Sequence, residues 1–156
     1  MPTVIEGSYA KPQGRFALLA ARFNGFVVEH LIKGALDGLV RHGVSDQNID
    51  LVRAPGSYQI PLIARTLAAS RKYAAIICLG AIIRGETDHY DHVAAETSRG
   101  IAQAAQETGV PIIFGILTCD TLEQAINRAG AKSGNKGFKA AMSAIEMVNL
   151  LQRLSE

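Results

Sequence analysis

The stretch Glu86-Thr87-Asp88-His89-Tyr90-Asp91-His92 gathers two imidazoles and three carboxylates within seven residues. Such a cluster can do three kinds of chemistry. Two His at i and i+3 beside carboxylates can ligate a metal, but the spacing is not HExxH and no third His follows in a ligand pattern. The same residues can open a helix, with Asp88 as its cap near the positive end of the dipole. Alternatively, His89 can carry protons, because imidazole takes them up and releases them near neutrality.

Two further segments could hold an anion. Gly80 to Thr87 has the Gly-x-x-x-x-Gly spacing of a phosphate loop and a Thr two places later. Glu86, however, stands where such a loop needs Lys, and a carboxylate there repels a triphosphate. Nucleotide hydrolysis is therefore excluded, and no GxGxxG occurs. The backbone amides of Gly85, Glu86 and Thr87 could still form an anion nest, or simply an ordinary strand-to-helix turn. The second segment, 130–137, carries Lys132 and Lys136 among glycines and follows Arg128. It reads either as a phosphate cradle or as a solvated helix connector. Phe23, at a strand end, is either a core residue or a platform on which a planar ring stacks.

The elements that must position these groups follow from hydrophobic patterning. Continuous apolar runs at 16–21, 49–52, 74–83 and 111–117 suit strands of a parallel sheet buried on both faces. Helical periodicity fills 27–41, with Val27, Val28, Leu31, Ile32, Ala35, Leu36, Leu39 and Val40 inward and Gly43 as its stop. Further helices are expected over 58–70 (with Pro61 tolerable only near the start), 92–108, 121–129 with Thr121 as N-cap, and 138–154. On the last, Ala141, Ala144, Ile145, Val148 and Leu151 form the buried stripe. Residues 3–6 are expected to form a short strand, joined to the rest by a linker that ends at Gly14.

This β-α-β-α-β-α-β-α-α order predicts an α/β fold, a three-layer α/β/α sandwich on a four-stranded parallel sheet with right-handed crossovers. Ligands bind such sheets outside the carboxyl ends of the strands. That rule selects Phe23-Asn24, residues 55–59, residues 82–89 and the neighbourhood of 114–118.

Length and composition set the class. The 156 residues make one domain, and 48% hydrophobic residues suffice for its core. A net charge of +2 without a basic tract argues against nucleic acid as a partner. The longest apolar run, ten residues at 74–83, is about half a membrane span. Residues 1–14 lack the basic and apolar regions of a secretory signal. Cys78 and Cys119 show no CxxC or paired metal spacing, so buried free thiols in a reducing cytoplasm are expected.

Four segments together resemble the lumazine synthase family: Arg22-Phe23-Asn24, APGSYQIP at 54–61, GAIIRGETDHYD at 80–91 and RAGAKSGNKG at 128–137. The resemblance runs over nearly the whole chain and implies a flavodoxin-like fold. It implies that the chain joins 5-amino-6-(D-ribitylamino)uracil to 3,4-dihydroxy-2-butanone 4-phosphate. The product is 6,7-dimethyl-8-ribityllumazine, released with phosphate and water in the penultimate step of riboflavin biosynthesis. No metal or organic cofactor is implied. Phe23 would stack on the heteroaromatic ring, and Asn24, Ser57, Tyr58 and Gln59 would hold the ribityl chain and ring edge. Ala81, Ile82 and Ile83 would offer backbone hydrogen bonds to the pyrimidine. Gly85, Glu86, Thr87 and Arg128 would bind phosphate, His89 would shuttle protons, Lys136 would lie near the ring, and Phe114 would line the pocket. One position departs from the pattern, since the family commonly has Glu where this chain has Gln59.

The resemblance also implies assembly. The family's pocket lies between neighbouring subunits of a pentamer, with Phe114, Arg128 and Lys136 from one chain and Phe23 and His89 from the next. The N-terminal segment would pair with a neighbour's sheet. The linker at 130–137 has no insertion, which in this family goes with hollow shells of sixty chains; riboflavin synthase is an expected partner. Two other readings remain: a shell-forming or flavin-binding protein without catalysis, and a regulatory domain that shares only the flavodoxin-like fold.

Overall fold

The computed structural model describes residues 1–130 and 134–156. Four strands, β1 (Phe16–Ala21), β2 (Ile49–Ala54), β3 (Ala75–Ile83) and β4 (Ile112–Cys119), form one parallel sheet in the order β2-β1-β3-β4. The helices are α1 (Gly25–Arg41), α2 (Ile60–Ala69), α3 (His89–Thr108), α4 (Leu122–Arg128) and α5 (Lys136–Leu154).

Strand alternation divides the core into two layers. Phe16, Leu18 and Ala20 of β1 and Ile77 and Leu79 of β3 point to one face, where they pack with Val28, Leu31 and Ala35 of α1 and Ala141, Ala144 and Ile145 of α5. Ala17, Leu19, Ile76 and Cys78 point to the other face, against Ile60 and Ala64 of α2 and Ile101 and Ala104 of α3. The result is the expected three-layer sandwich. Its inner strands β1 and β3 are buried almost throughout, whereas β2 is an edge strand with Leu51 exposed. The segment 49–52, which Asp50 interrupts, therefore does not mark a strand buried on both faces.

Helix ends follow local chemistry. Gly43, at φ 97°, lets its own amide and that of Val44 turn back to the Val40 and Leu39 carbonyls, which closes α1. Gly109, at φ 73°, ends α3. The Thr121 hydroxyl caps α4 by accepting from the Gln124 amide at 3.1 Å. The last helix begins earlier than its apolar pattern suggests, because Asn135 caps it by accepting from the Phe138 amide at 3.0 Å. The same side chain donates to the His30 carbonyl at 2.8 Å and the Ala129 carbonyl at 3.0 Å, so one amide joins α1, α4 and α5. Gly137 then packs against the Leu31 carbonyl, where any Cβ would collide.

Two local expectations are corrected. Leu36 and Val40 lie outside the arc of α1 that meets the sheet and α5, and both are exposed. Leu151 is exposed near the end of α5. Pairing of the N-terminal segment with a neighbour's sheet would need a second copy; within the single chain residues 1–14 form no strand and lie along α5. There the Tyr9 hydroxyl donates to Glu146 at 2.9 Å, Asn149 donates to the Ser8 and Ala10 carbonyls, and Arg153 to the Glu6 carbonyl.

Candidate active site

The chain passes from β1 to β2 on one side and from β2 across to β3 on the other, so strand order reverses between β1 and β3. In doubly wound sheets that crevice is where ligands bind. A cleft of about 590 Å³ lies at this place, open at the carboxyl ends of β1, β2 and β3. The loop after β1 supplies Phe23 and Asn24, and the turn after β2 supplies Pro55 to Gln59. The end of β3 supplies Ala81, Ile82 and Ile83, and the first turn of α3 supplies His89, Tyr90, His92 and Val93.

Each wall has a local cause. Asn24 occupies the left-handed region at φ 59°, a conformation that Asn tolerates better than most residues, and this turns the chain sharply into α1. Its side-chain amide donates to the Ala81 carbonyl at 2.7 Å, in the gap where β1 has ended and β3 continues. Phe23 is 71% exposed, so of its two readings the core residue is excluded. Ser57 to Gln59 form a single tight 3-10 turn that leads into α2, with Pro61 in the first turn of that helix. The Gln59 amide donates to the Gly56 carbonyl at 3.2 Å, and the Gln59 side chain lies exposed at the rim.

Asp88 stands at the N-cap position of α3, but its side chain makes no capping hydrogen bond. It lies instead 3.4 Å from the His92 ring. The loop 84–88 is anchored by Arg84. Its amide donates to the Cys119 carbonyl at 2.8 Å, its guanidinium pairs with Asp120 at 2.9 Å and Asp91 at 3.5 Å, and it lies 4.4 Å over the Tyr90 ring. The Asp120 partner raises the Arg84 pKa further, so this cation is permanent. Burial pushes the Cys78 thiol well above its usual range, which excludes it as a nucleophile. Both cysteines are free and buried.

The cleft thus brings together Phe23, Asn24, Ser57, Tyr58, Gln59, Ala81, Ile82, Ile83 and His89. Gly85, Glu86 and Thr87 lie exposed on the adjoining loop, where the Thr87 hydroxyl accepts from the His89 amide at 3.3 Å. Three expected residues do not line this chain's cleft. Phe114 sits mid-strand in β4, partly buried against the α3 layer. Arg128 ends α4 on the opposite layer, with its guanidinium 3.3 Å from the Cys119 sulfur. Lys136 opens α5, and a bridge between Ala129 and Asn135 brings the two cations to the base of one loop. Lys132 lies outside the described residues. Tyr90, His92 and Val93 line the cleft as well, beyond the 82–89 segment that the strand-end rule selects. Their spacing in the first turn of α3, next to and one turn beyond His89, was the available signal.

Fold and cleft together define a flavodoxin-like α/β protein with an exposed aromatic ring, Phe23, and an imidazole, His89, in one cleft at the strand-order switch point. The comparisons narrow this class. The family model described as 6,7-dimethyl-8-ribityllumazine synthase matches residues 13–152. A protein of that name from Desulfotalea psychrophila is 56% identical over 154 residues, covering 99% of each chain. The chain belongs to the 6,7-dimethyl-8-ribityllumazine synthase family.

Proposed function

We infer that the chain is a transferase of riboflavin biosynthesis that condenses 5-amino-6-(D-ribitylamino)uracil with 3,4-dihydroxy-2-butanone 4-phosphate. The observation that carries this reading is the meeting of Phe23 and His89 in one cleft, in a chain 56% identical over its length to a named 6,7-dimethyl-8-ribityllumazine synthase. The pyrimidine ring stacks on Phe23, and Ile82 and Ile83 offer it backbone groups. Asn24 and the 57–59 turn take the ribityl chain. The primary amine attacks the ketone, and loss of water leaves an imine. Phosphate then leaves from C4 as a proton is removed from C3, the resulting enol takes a proton at C4 to become a ketone at C3, and the second amine closes on that ketone with loss of water. His89 takes and returns protons in these steps. Holding the two reactants in register provides much of the rate, because intramolecular positioning is worth up to about 7–11 kcal/mol. No metal or organic cofactor is required.

The phosphate binds to the amides of Gly85, Glu86 and Thr87 and to Arg128. Phe114, Arg128 and Lys136 reach the cleft from a neighbouring copy, which their separation from this chain's own cleft favours. Self-association is also favoured by the exposed Phe26, Leu62 and Leu122, at 68%, 73% and 51% of their full surface. The whole chain acts as one domain. It assembles into pentamers and, with the short 130–137 linker, a sixty-chain shell able to work beside riboflavin synthase. The cytoplasm suits its buried free thiols.

Inactive His89→Ala and Arg128→Ala proteins, mixed before assembly, test the shared site. Mixed interfaces regain lumazine formation, followed by fluorescence; no recovery would count against a pocket shared by two copies. A light-scattering mass near that of a pentamer would contradict the shell.

A further inference from the structure

Thr97 is fully buried in α3 and takes no part in the chemistry described above. A helical Thr usually returns its hydroxyl to a carbonyl one turn back. Here the hydroxyl donates instead across the core to the Ser57 carbonyl at 3.3 Å. That carbonyl also accepts from the Ile60 amide. Two donors therefore hold the first residue of the turn that forms one wall of the cleft. Two glycines complete the seat. A Cβ on Gly80 would stand 2.8 Å from the Ser57 hydroxyl oxygen, and one on Gly100 would stand 2.6 Å from the Pro61 Cβ. The turn is thus pressed onto β3 and α3 at contacts that tolerate no added carbon.

His89, Val93 and Thr97 follow one another at intervals of four, so they share one face of α3. A single rigid helix carries the imidazole at its start and, two turns further in, the hydroxyl that seats the opposite wall. We propose that Thr97 is a positioning residue for the substrate: by holding the Ser57 carbonyl it sets the 57–59 turn at a fixed distance from His89, and so determines binding of the ribitylamino-pyrimidine partner but not of the phosphate partner. The inference rests on the function proposed above and assigns a specificity role to a residue outside the cleft.

The test is steady-state kinetics on the full assembly with each substrate varied in turn. Thr97→Val keeps the shape and removes the hydroxyl. It raises KM for the ribitylamino-pyrimidine by roughly three- to tenfold, the usual weight of one hydrogen bond, and leaves KM for the butanone phosphate unchanged. Thr97→Ser restores the wild-type ratio. Gly100→Ala, which pushes on Pro61 without touching the hydrogen bond, gives the same selective rise and decides the matter if Thr97→Val does not fold. A lowered Tm with both KM values unchanged, or raised together, would overturn the proposal and leave Thr97 a packing residue. Wild-type protein that forms no lumazine would overturn the proposed function, and this inference with it.

Discussion

The Asn24 side-chain amide donates to the Ala81 carbonyl at 2.7 Å, which ties the loop leaving β1 to the end of β3. This bond closes the gap at which strand order reverses, so one asparagine defines the floor of the cleft. The bond uses one of the two side-chain N–H donors of Asn24, so the second N–H and the oxygen remain for other partners.

Asn24 combines a hydrogen bond with a left-handed backbone, and two variants separate these. Asn24→Gly keeps access to φ 59° and loses only the bond, at a cost of about 1 kcal/mol. Asn24→Ala loses both and costs about 1–2 kcal/mol more. Urea unfolding measures the difference; equal losses would show that the backbone is unstrained.

His89→Ala lowers kcat by about one to two orders of magnitude, near the low end for a general acid–base group. The reacting amine is already nucleophilic and phosphate is already a leaving group, so turnover persists. Fluorescence of the product reports the rate. Activity indistinguishable from wild type would remove His89 from the mechanism.

Gln59 lies exposed at the rim of the cleft. Gln59→Glu adds a charge that accepts hydrogen bonds from ribityl hydroxyls more strongly than a neutral amide does. KM for the ribitylamino-pyrimidine falls about threefold if that bond is made. An unchanged KM means that charge at this position is irrelevant to binding.

Gly137 touches the Leu31 carbonyl where α5 crosses α1. Gly137→Ala forces the helices apart and destabilises the fold by about 1–3 kcal/mol. Thermal unfolding reads this directly, and a Tm equal to wild type would mean that the helices separate freely.

At the opposite end of the sheet, Asp50 accepts from the Tyr73 hydroxyl at 2.6 Å and from Arg15 at 2.8 Å. The Tyr73 hydrogen bond first, and then Arg15, hold its carboxyl below the usual value of 3.8. A depressed carboxylate contributes stability that is present above its unfolded pKa and is lost as pH falls through the folded one. The Tm advantage of wild type over Asp50→Asn is therefore full at pH 7 and shrinks below about pH 4. A constant difference across that range would show that the pair is not linked to folding.

Among the described residues, periodicity alone locates the four strands and five α-helices to within about three residues, because a buried strand and an amphipathic helix each leave a pattern in a single chain. The strand-end rule likewise points to Phe23-Asn24, to 55–59 and to 82–89, which border the cleft, and to 114–118, which does not. Exposure at Leu36, Val40 and Leu51 was not legible, since periodicity marks an apolar face without saying what covers it. The early start of α5 was missed because its cap, Asn135, follows from bonds to His30 and Ala129 that are remote in sequence.

What the residues determined by themselves was the α/β order and the strand-end segments at 23–24, 55–59 and 82–89 that border the cleft, both of which follow from local patterning. The resemblance already divides Phe114, Arg128 and Lys136 from Phe23 and His89, and the tertiary structure keeps the first three out of this chain's own cleft. Only it revealed that Thr97 reaches Ser57 across forty positions of chain. Such pairings depend on how layers pack, and packing joins residues whose separation along the chain carries no periodic signal.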